Sequence, residues 1–164
     1  MATSLKNLSE YDLNSVPKAN GMSVGIVVAE WNSEITFAMC DAAKSTLIKH
    51  GMSESDIVIK TVPGSFELIA GCRLLAKWTT VDAVIAIGTV IQGETKHFDY
   101  ICQGVTHGIS ELNLKFDIPF IFGVLTTETL QQAKDRAGGK HGNKGDEAAI
   151  TAIKMINLKK SLEY

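Results

Sequence analysis

Nearly continuous apolar runs, rich in β-branched residues, recur four times along the chain. Runs of this kind are typical of strands that are buried on both faces of a sheet. The predicted strands cover residues 23–29, 56–62, 81–91 and 119–125. The chain therefore supplies four candidate strands for one buried sheet.

After each of these runs, apolar residues return every three or four positions, which predicts helices packed on one face. Four of the predicted helices cover residues 33–50, 65–78, 97–115 and 146–158. Another, before the last of these, is capped by Thr126 or Thr127, includes Ala137 and ends at Gly138. Regular alternation of strand and helix predicts a parallel sheet covered on both faces. The predicted fold is α/β, a three-layer flavodoxin-like sandwich around four parallel strands.

The first 21 residues differ from the remainder of the chain. They are polar and end in Pro17, Asn20 and Gly21, which predicts an arm rather than a packed element. Residues 22–164 are the length of one ordinary domain. We therefore predict an N-terminal arm, residues 1–21, and a single domain, residues 22–164.

The composition of the chain argues against nucleic-acid binding and against membrane association. The net charge is −2, and no basic stripe is present, which argues against a nucleic-acid partner. The longest apolar runs are too short to cross a bilayer, and the N-terminus lacks the apolar stretch of a signal peptide. We therefore expect a cytoplasmic protein without membrane association.

The thiols and imidazoles show no metal-binding spacing. Cys40, Cys72 and Cys102 are widely separated and lie in apolar patterns, which predicts buried free thiols. The four histidines form neither HExxH nor HxxEH. We therefore expect no metal site.

The third predicted strand runs into a short polar loop and then into a helix, a junction where α/β proteins bind anions. Gly93, Glu94 and Thr95 form the loop, and His97 stands at the start of the helix. A helix N-terminus disfavours added positive charge, so a neutral imidazole that transfers protons is favoured there. The loop matches neither the P-loop nor the dinucleotide-binding pattern.

Two further strand ends carry side chains with more than one interpretation. Trp31 could cover the core or stack on a flat ligand, with Asn32 as a hydrogen-bonding partner. Ser65 could cap a helix whose dipole Glu67 suits, or the helix N-terminal amides and Glu67 could bind the hydroxyls of a ligand, and the pattern favours the capping role.

A glycine-rich loop, residues 137–145, lies between Arg136 and Lys144. It could be a solvated connection. It could instead be a lid or a subunit contact that brings a guanidinium to a phosphate. The sequence leaves both interpretations open.

Taken together, these segments resemble the 6,7-dimethyl-8-ribityllumazine synthase family. The matching text includes VPGSFEL, AVIAIGTVIQGETKHFDYIC and IPFIFGVLTTETLQQAKDRAGGKHGNKG, and the match runs in order from Gly25 to Leu158. The resemblance implies condensation of two small molecules, 5-amino-6-(D-ribitylamino)uracil and 3,4-dihydroxy-2-butanone 4-phosphate, with loss of phosphate. It implies no metal or organic cofactor.

The resemblance also assigns roles residue by residue. His97 matches the residue that transfers a proton. The positions matched to pyrimidine and ribityl binding are Trp31, Asn32, Ser65, Phe66, Glu67, Thr89, Val90 and Ile91, with backbone contacts from the last three, and Phe122 from a neighbouring subunit. The positions matched to phosphate binding are Glu94, Thr95, Arg136 and Lys144.

Three positions depart from the family pattern. Ile69 stands where relatives often have proline, Gln92 where many have a basic residue, and Lys96 where many have a small one. The departure at Ile69 concerns the start of the second helix. The other two lie beside the predicted phosphate loop.

The resemblance further implies a homo-oligomer. Family members form pentamers with sites between subunits, and the short glycine-rich loop favours a hollow icosahedral assembly of pentamers. The N-terminal arm is expected to add a strand to a neighbour's sheet. The resemblance also allows riboflavin synthase as a further partner.

Two other classes of protein remain as alternatives. One is a ligand carrier that keeps the pocket without turnover, but loss of His97 or Arg136 would mark it and both are present. The other is a flavodoxin-like FMN binder, which needs a hydroxyl-rich phosphate loop after the first strand. We therefore expect the enzyme.

Overall fold

The computed structural model describes residues 7–163. Strands and helices alternate through most of this range. In chain order the elements are β1 Val24–Ala29, α1 Ser33–Lys49, β2 Ile57–Val62, α2 Leu68–Trp78, β3 Ala83–Ile91, α3 His97–Lys115, β4 Phe120–Thr127, α4 Leu130–Lys134, β5 Ala137–Gly139, β6 Gly142–Asn143 and α5 Lys144–Leu162.

Four strands form one parallel sheet in the order β2-β1-β3-β4. This confirms the predicted α/β fold. Because the strands are parallel, their carboxyl ends meet at one edge, where open α/β sheets bind ligands. The ends are staggered, since β1 pairs with β3 only as far as Ile87, while β3 stays paired with β4 as far as Ile91.

The pleat of the sheet divides the core into two clusters. Val24, Ile26 and Val28 of β1 pack with α1 and α5, whereas Val27 and Ala29 pack with α2 and α3. Successive side chains of a strand point to opposite faces, so the alternation follows from strand geometry. The result is three layers, with the sheet between two pairs of helices.

The β2 strand differs from the predicted strands buried on both faces. Its residues are half-buried or exposed, and Lys60 and Thr61 face solvent. The reason is its position at the edge of the sheet, where β1 is its only partner strand among the described residues. An exposed strand edge offers backbone groups to another chain.

The second helix begins later than predicted. Residues 65–67 form turns, and α2 starts at Leu68. Ser65 is therefore not the N-cap; its Oγ instead donates a hydrogen bond to the carbonyl oxygen of Thr89, at 3.2 Å. The predicted capping role is wrong because the hydroxyl bonds to a neighbouring strand.

The fourth predicted helix is also shorter in the structure. The α4 helix has five residues, and Thr129 caps it by accepting a hydrogen bond from the Gln132 amide. Ala137 lies in β5, which pairs antiparallel with β6, so the glycine-rich loop is a small hairpin. Gly138 and Gly142 in this hairpin have φ angles of 114° and 77°, a region that favours glycine.

The described part of the N-terminal segment packs on its own domain. Val16 and Ala19 are buried in the cluster of α1 and α5. The Leu8 amide donates to the His141 carbonyl oxygen, and the Tyr11 hydroxyl lies 3.0 Å from His50 Nε2. The expectation of an unpacked arm is therefore wrong from Leu8 onward, and residues 1–6 lie outside the described residues.

The structure also describes the three thiols, the potential metal ligands and the apolar character of the helices. Within residues 7–163, Cys40 and Cys72 are buried free thiols, as predicted. The prediction is wrong for Cys102, which is half-buried because it lines a hollow at the surface of α3. The same range contains no group of three or more His, Cys, Asp or Glu side chains that could hold a metal ion. None of its helices is both long enough and apolar enough to cross a membrane.

Candidate active site

A cleft with a volume of about 580 Å³ opens at the carboxyl edge of the sheet, between the starts of α2 and α3. Its size is typical of small-molecule sites. Three predicted loops meet there. The lining residues are Trp31, Asn32, Gly64, Ser65, Phe66, Glu67, Thr89, Val90, Ile91, Gly93, Thr95, His97, Phe98 and Ile101.

The floor of the cleft is the end of β3. The Val84 amide donates to the carbonyl oxygen of Pro119, and the Gln92 amide donates to that of Thr127. Because backbone groups alternate in direction along a strand, the even-numbered residues of β3 direct theirs toward β4. Thr89 and Ile91 therefore direct theirs toward β1, which ends at Ala29. Beyond that point, no strand of residues 7–163 pairs with Ile91 on this side, so its backbone faces the cleft. Val90, on the other face of the pleat, contributes its side chain.

Two aromatic rings stand at the mouth of the cleft. Trp31 is 71% exposed and Phe66 is 51% exposed. Asn32 follows Trp31 with a left-handed backbone, φ 59° and ψ 47°, which asparagine tolerates better than most residues. Exposed aromatic faces of this kind can stack on a planar heterocycle.

The loop after β3 presents unpaired amides. Within residues 7–163, the amides of Gly93, Glu94 and Thr95 donate to no protein acceptor. The His97 amide donates to Thr95 Oγ1 at 3.3 Å, and His97 begins α3. Free amides at the start of a 19-residue helix form a suitable site for an anion.

The two acidic side chains of the region lie differently. Glu67 lines the cleft at the start of α2, where its Oε2 lies over Gly64. Glu94 is exposed and is absent from the lining of the cleft. An anion at the loop amides is thus not opposed by the Glu94 carboxylate, whereas the Glu67 carboxylate lines the same cleft at the start of α2.

Three predicted site residues lie elsewhere in the single chain. Phe122 lies in a separate hollow against another face of α3, together with His107. Arg136 Nη1 donates to the Gln132 carbonyl oxygen at 3.0 Å, and Lys144 is paired with Glu147 at 2.8 Å. One chain therefore does not bring Arg136 to His97, and their meeting remains a prediction about neighbouring subunits.

The separate hollow also contains Cys102. Burial raises the pKa of this thiol, and Asp99 adds to the shift. A thiol with a raised pKa is a poor nucleophile at neutral pH. We therefore assign no covalent chemistry to Cys102.

Two cleft residues were not predicted as site residues, Phe98 and Ile101. Both lie within four residues of His97 on α3, so a helical wheel drawn from His97 places Ile101 on the same face. Gly64 was missed for a different reason, since a glycine contributes backbone alone. Its position beside Ser65 gave the only signal.

A parallel α/β sandwich with a cleft at its carboxyl edge places the chain in the flavodoxin-like class of folds, and the amide loop and imidazole in that cleft are typical of an enzyme site. The family model described as 6,7-dimethyl-8-ribityllumazine synthase matches residues 21–160. The chain belongs to this family, a family of transferases in riboflavin biosynthesis.

Curated relatives carry the same name. The 6,7-dimethyl-8-ribityllumazine synthase of Parabacteroides distasonis is 62% identical over 96% of this chain and 99% of its own length. That of Phocaeicola vulgatus is 58% identical over 99% of this chain and 97% of its own length. That of Porphyromonas gingivalis is 56% identical over 98% of this chain and 99% of its own length.

Proposed function

We propose that the cleft is one side of the active site in which 5-amino-6-(D-ribitylamino)uracil condenses with 3,4-dihydroxy-2-butanone 4-phosphate. The products are 6,7-dimethyl-8-ribityllumazine and phosphate. One observation carries the proposal: the unpaired loop amides, the His97 imidazole and two exposed aromatic rings share a single cleft. These groups match a phosphate, a proton transfer and a planar ring.

The pyrimidine lies at the aromatic end of the cleft. Trp31 stacks on the ring, and the backbone of Ile91 forms hydrogen bonds to its edge because no strand occupies that side of β3. Asn32 and Glu67 supply polar partners for the ring and the ribityl hydroxyls. The Ser65 hydroxyl is bonded to Thr89, so it holds the end of β3 in place.

The phosphate of the second substrate lies over the loop amides. Gly93, Glu94 and Thr95 donate their N–H groups, and the positive end of α3 adds to the attraction. Lys96, exposed beside the loop, contributes further positive charge. The amides, the helix and Lys96 together account for phosphate binding by a chain that has Gln92 where many relatives have a basic side chain.

His97 transfers protons during the condensation. The 5-amino group attacks the ketone carbonyl and water leaves, which gives an imine. Elimination of phosphate then requires loss of a proton from carbon, which the His97 imidazole accepts, while the amides stabilise the charge on the departing phosphate. The enol left by this elimination becomes a methyl ketone, the ribitylamino nitrogen attacks its carbonyl carbon, and a second water leaves, which closes the ring of the lumazine. Much of the rate comes from holding both substrates together.

The neighbouring subunit completes the site. Phe122 and Arg136 lie outside the cleft of their own chain, so they serve the cleft of an adjacent one. Arg136 provides a fork-shaped donor suited to phosphate. Lys144 is already paired with Glu147 and donates its amide to the Arg136 carbonyl oxygen, so it acts as a nearby cation that also supports the hairpin.

The assembly is at least a pentamer, and we favour an icosahedral arrangement of pentamers. Large apolar side chains are exposed around the cleft and on α3, including Trp31, Phe66 and Tyr100 at 71%, 51% and 68%. The open edge of β2 exposes backbone groups with which a neighbouring subunit can pair. Light scattering from a stable monomer would overturn this assignment.

The proposed setting is the cytoplasm. There the lumazine product is handed to the next enzyme, and association with riboflavin synthase is part of the proposal.

The direct experiment mixes the purified protein with both substrates. Lumazine absorbance and phosphate release are followed together, and we expect them to rise in equal amounts. Arg136→Ala should mainly raise the KM for the phosphorylated substrate. Tight binding of the pyrimidine without any turnover would favour the carrier and contradict the enzyme.

A further inference from the structure

Two glycines of α3 face the start of α2, one helical turn apart. A Cβ built on Gly104 would lie 2.9 Å from Cε2 of Phe66 and 3.5 Å from its Cδ2. A Cβ built on Gly108 would lie 2.7 Å from Cγ1 of Ile69. Both side chains therefore rest directly on the α3 backbone.

The two contacts affect different parts of the molecule. Phe66 lines the cleft and is half exposed, so an atom pressed against its outer edge would turn the ring aside. Ile69 does not line the cleft and packs into the cluster between α2 and α3. A clash at Ile69 would strain helix packing instead.

Helix propensity gives no reason for glycine at these positions. Glycine is unfavourable in the interior of a helix because it loses the most backbone freedom. The close approach of a neighbouring side chain supplies a reason at each place. At Gly104 that side chain belongs to the substrate cleft.

We propose that Gly104 is a positioning residue for the condensation. The absence of a side chain at Gly104 lets the Phe66 ring lie against α3, and this sets the width of the cleft at its pyrimidine end. The inference rests on the proposed function, because it assigns the position of Phe66 to binding of the ribitylaminouracil. It extends the site to a residue that touches neither substrate.

The test variant is Gly104→Ala in the full chain. We expect the KM for 5-amino-6-(D-ribitylamino)uracil to rise on the order of tenfold, the usual effect of one misplaced methyl-sized contact in a pocket. The kcat and the KM for the phosphorylated substrate should change little, since the loop amides and His97 do not move. The Tm should not fall, because alanine favours the helix.

Gly108→Ala is the matched control on the same helix. It should lower the Tm through the clash with Ile69 and leave the KM for the pyrimidine unchanged. Phe66→Leu is the second control, since leucine lacks the Cε atoms that meet the added methyl group. In that background Gly104→Ala should have no further effect on KM, and the cycle of single and double variants measures this coupling.

Three results would overturn the inference while the wild-type protein turns over both substrates. The first is a Gly104→Ala variant with an unchanged KM for the pyrimidine. The second is an equal rise in KM with and without Phe66→Leu. The third is a rise that coincides with loss of assembly in sedimentation velocity. A wild-type protein without turnover would instead overturn the proposed function.

Discussion

At the scale of single residues, the proposed proton transfer depends on the position of His97. It is the first residue of α3, it follows the loop of unpaired amides, and it shares the cleft with the aromatic rings. In the proposed mechanism this position places a proton-transfer group next to the loop amides that bind the phosphate. The chemistry of the cleft therefore depends on where one imidazole is held.

The substitution His97→Ala tests this role. We expect kcat to fall by up to about 100-fold, the lower end of the range for general acid–base groups, because positioning of two substrates accounts for much of the remaining rate. Steady-state kinetics with both substrates measures the change. His141→Ala, in the hairpin, is the control and should keep the wild-type kcat; equal losses in the two variants would contradict the role of His97.

A second histidine matters for stability. Burial lowers the pKa of His50 from 6.5, and Lys49 adds to the effect, while the Tyr11 hydroxyl lies 3.0 Å from its ring nitrogen. The folded state therefore binds a proton less readily than the unfolded state. The stabilisation from the neutral ring is present above pH 6.5 and is lost as the pH falls through the folded-state pKa.

Urea unfolding at several pH values between 5 and about 7.5 measures this loss, in the range where an ordinary histidine titrates. The free energy of unfolding of the wild-type protein should decrease on acidification by more than that of His50→Gln. Tyr11→Phe keeps the ring and removes the hydroxyl, so it separates the hydrogen bond from the burial. Parallel pH profiles for the wild type and His50→Gln would show that His50 does not carry the effect.

At the scale of elements, the crossing of α1 and α5 fixes one face of the sheet. A Cβ at Gly145 would overlap the carbonyl oxygen of Met39, so the first turn of α5 lies directly on α1. The Thr46 hydroxyl also donates to Asp146 at 2.7 Å. This contact anchors α5 immediately after the hairpin that carries Arg136.

Gly145→Ala should therefore destabilise the fold by about 3 kcal/mol, because the methyl group meets backbone that cannot move aside. Thermal or urea unfolding measures the change. Gly93→Ala is the control, since a Cβ at Gly93 meets nothing within 4 Å. A Gly145→Ala protein as stable as this control would show that the two helices do not approach as described.

The elements also show how far sequence reasoning reaches. Strands β1, β3 and β4 were predictable because their burial requires long apolar runs, and β2 was predictable from its β-branched residues although it is half exposed. The helices that follow the first three strands were predictable from their apolar period. Ser65 was misjudged because its hydroxyl bonds to Thr89, far along the chain. Ala137 was misjudged because an apolar residue near two glycines fits a helix end and a hairpin equally well.

At the scale of the whole molecule, the predicted site residues do not all meet within one chain. Cleft residues from three loops were predictable, because parallel strands place successive loops at one edge. The location of Arg136 was not, because sequence spacing cannot tell whether a hairpin reaches its own cleft or a neighbour's. The described chain places Arg136 and Phe122 away from the cleft, so the account requires a partner subunit.

Subunit mixing tests this requirement most directly. One variant, His97→Ala with Glu67→Ala, has a defective cleft, and the other, Arg136→Ala, has a defective contribution to its neighbour. Each alone should be nearly inactive at limiting phosphorylated substrate. Unfolded together in equal amounts and reassembled, they should regain about a quarter of wild-type activity, because a head-to-tail ring then contains that share of intact sites. If the mixed assemblies form but are no more active than the separate variants, the site lies within one chain and the account is wrong.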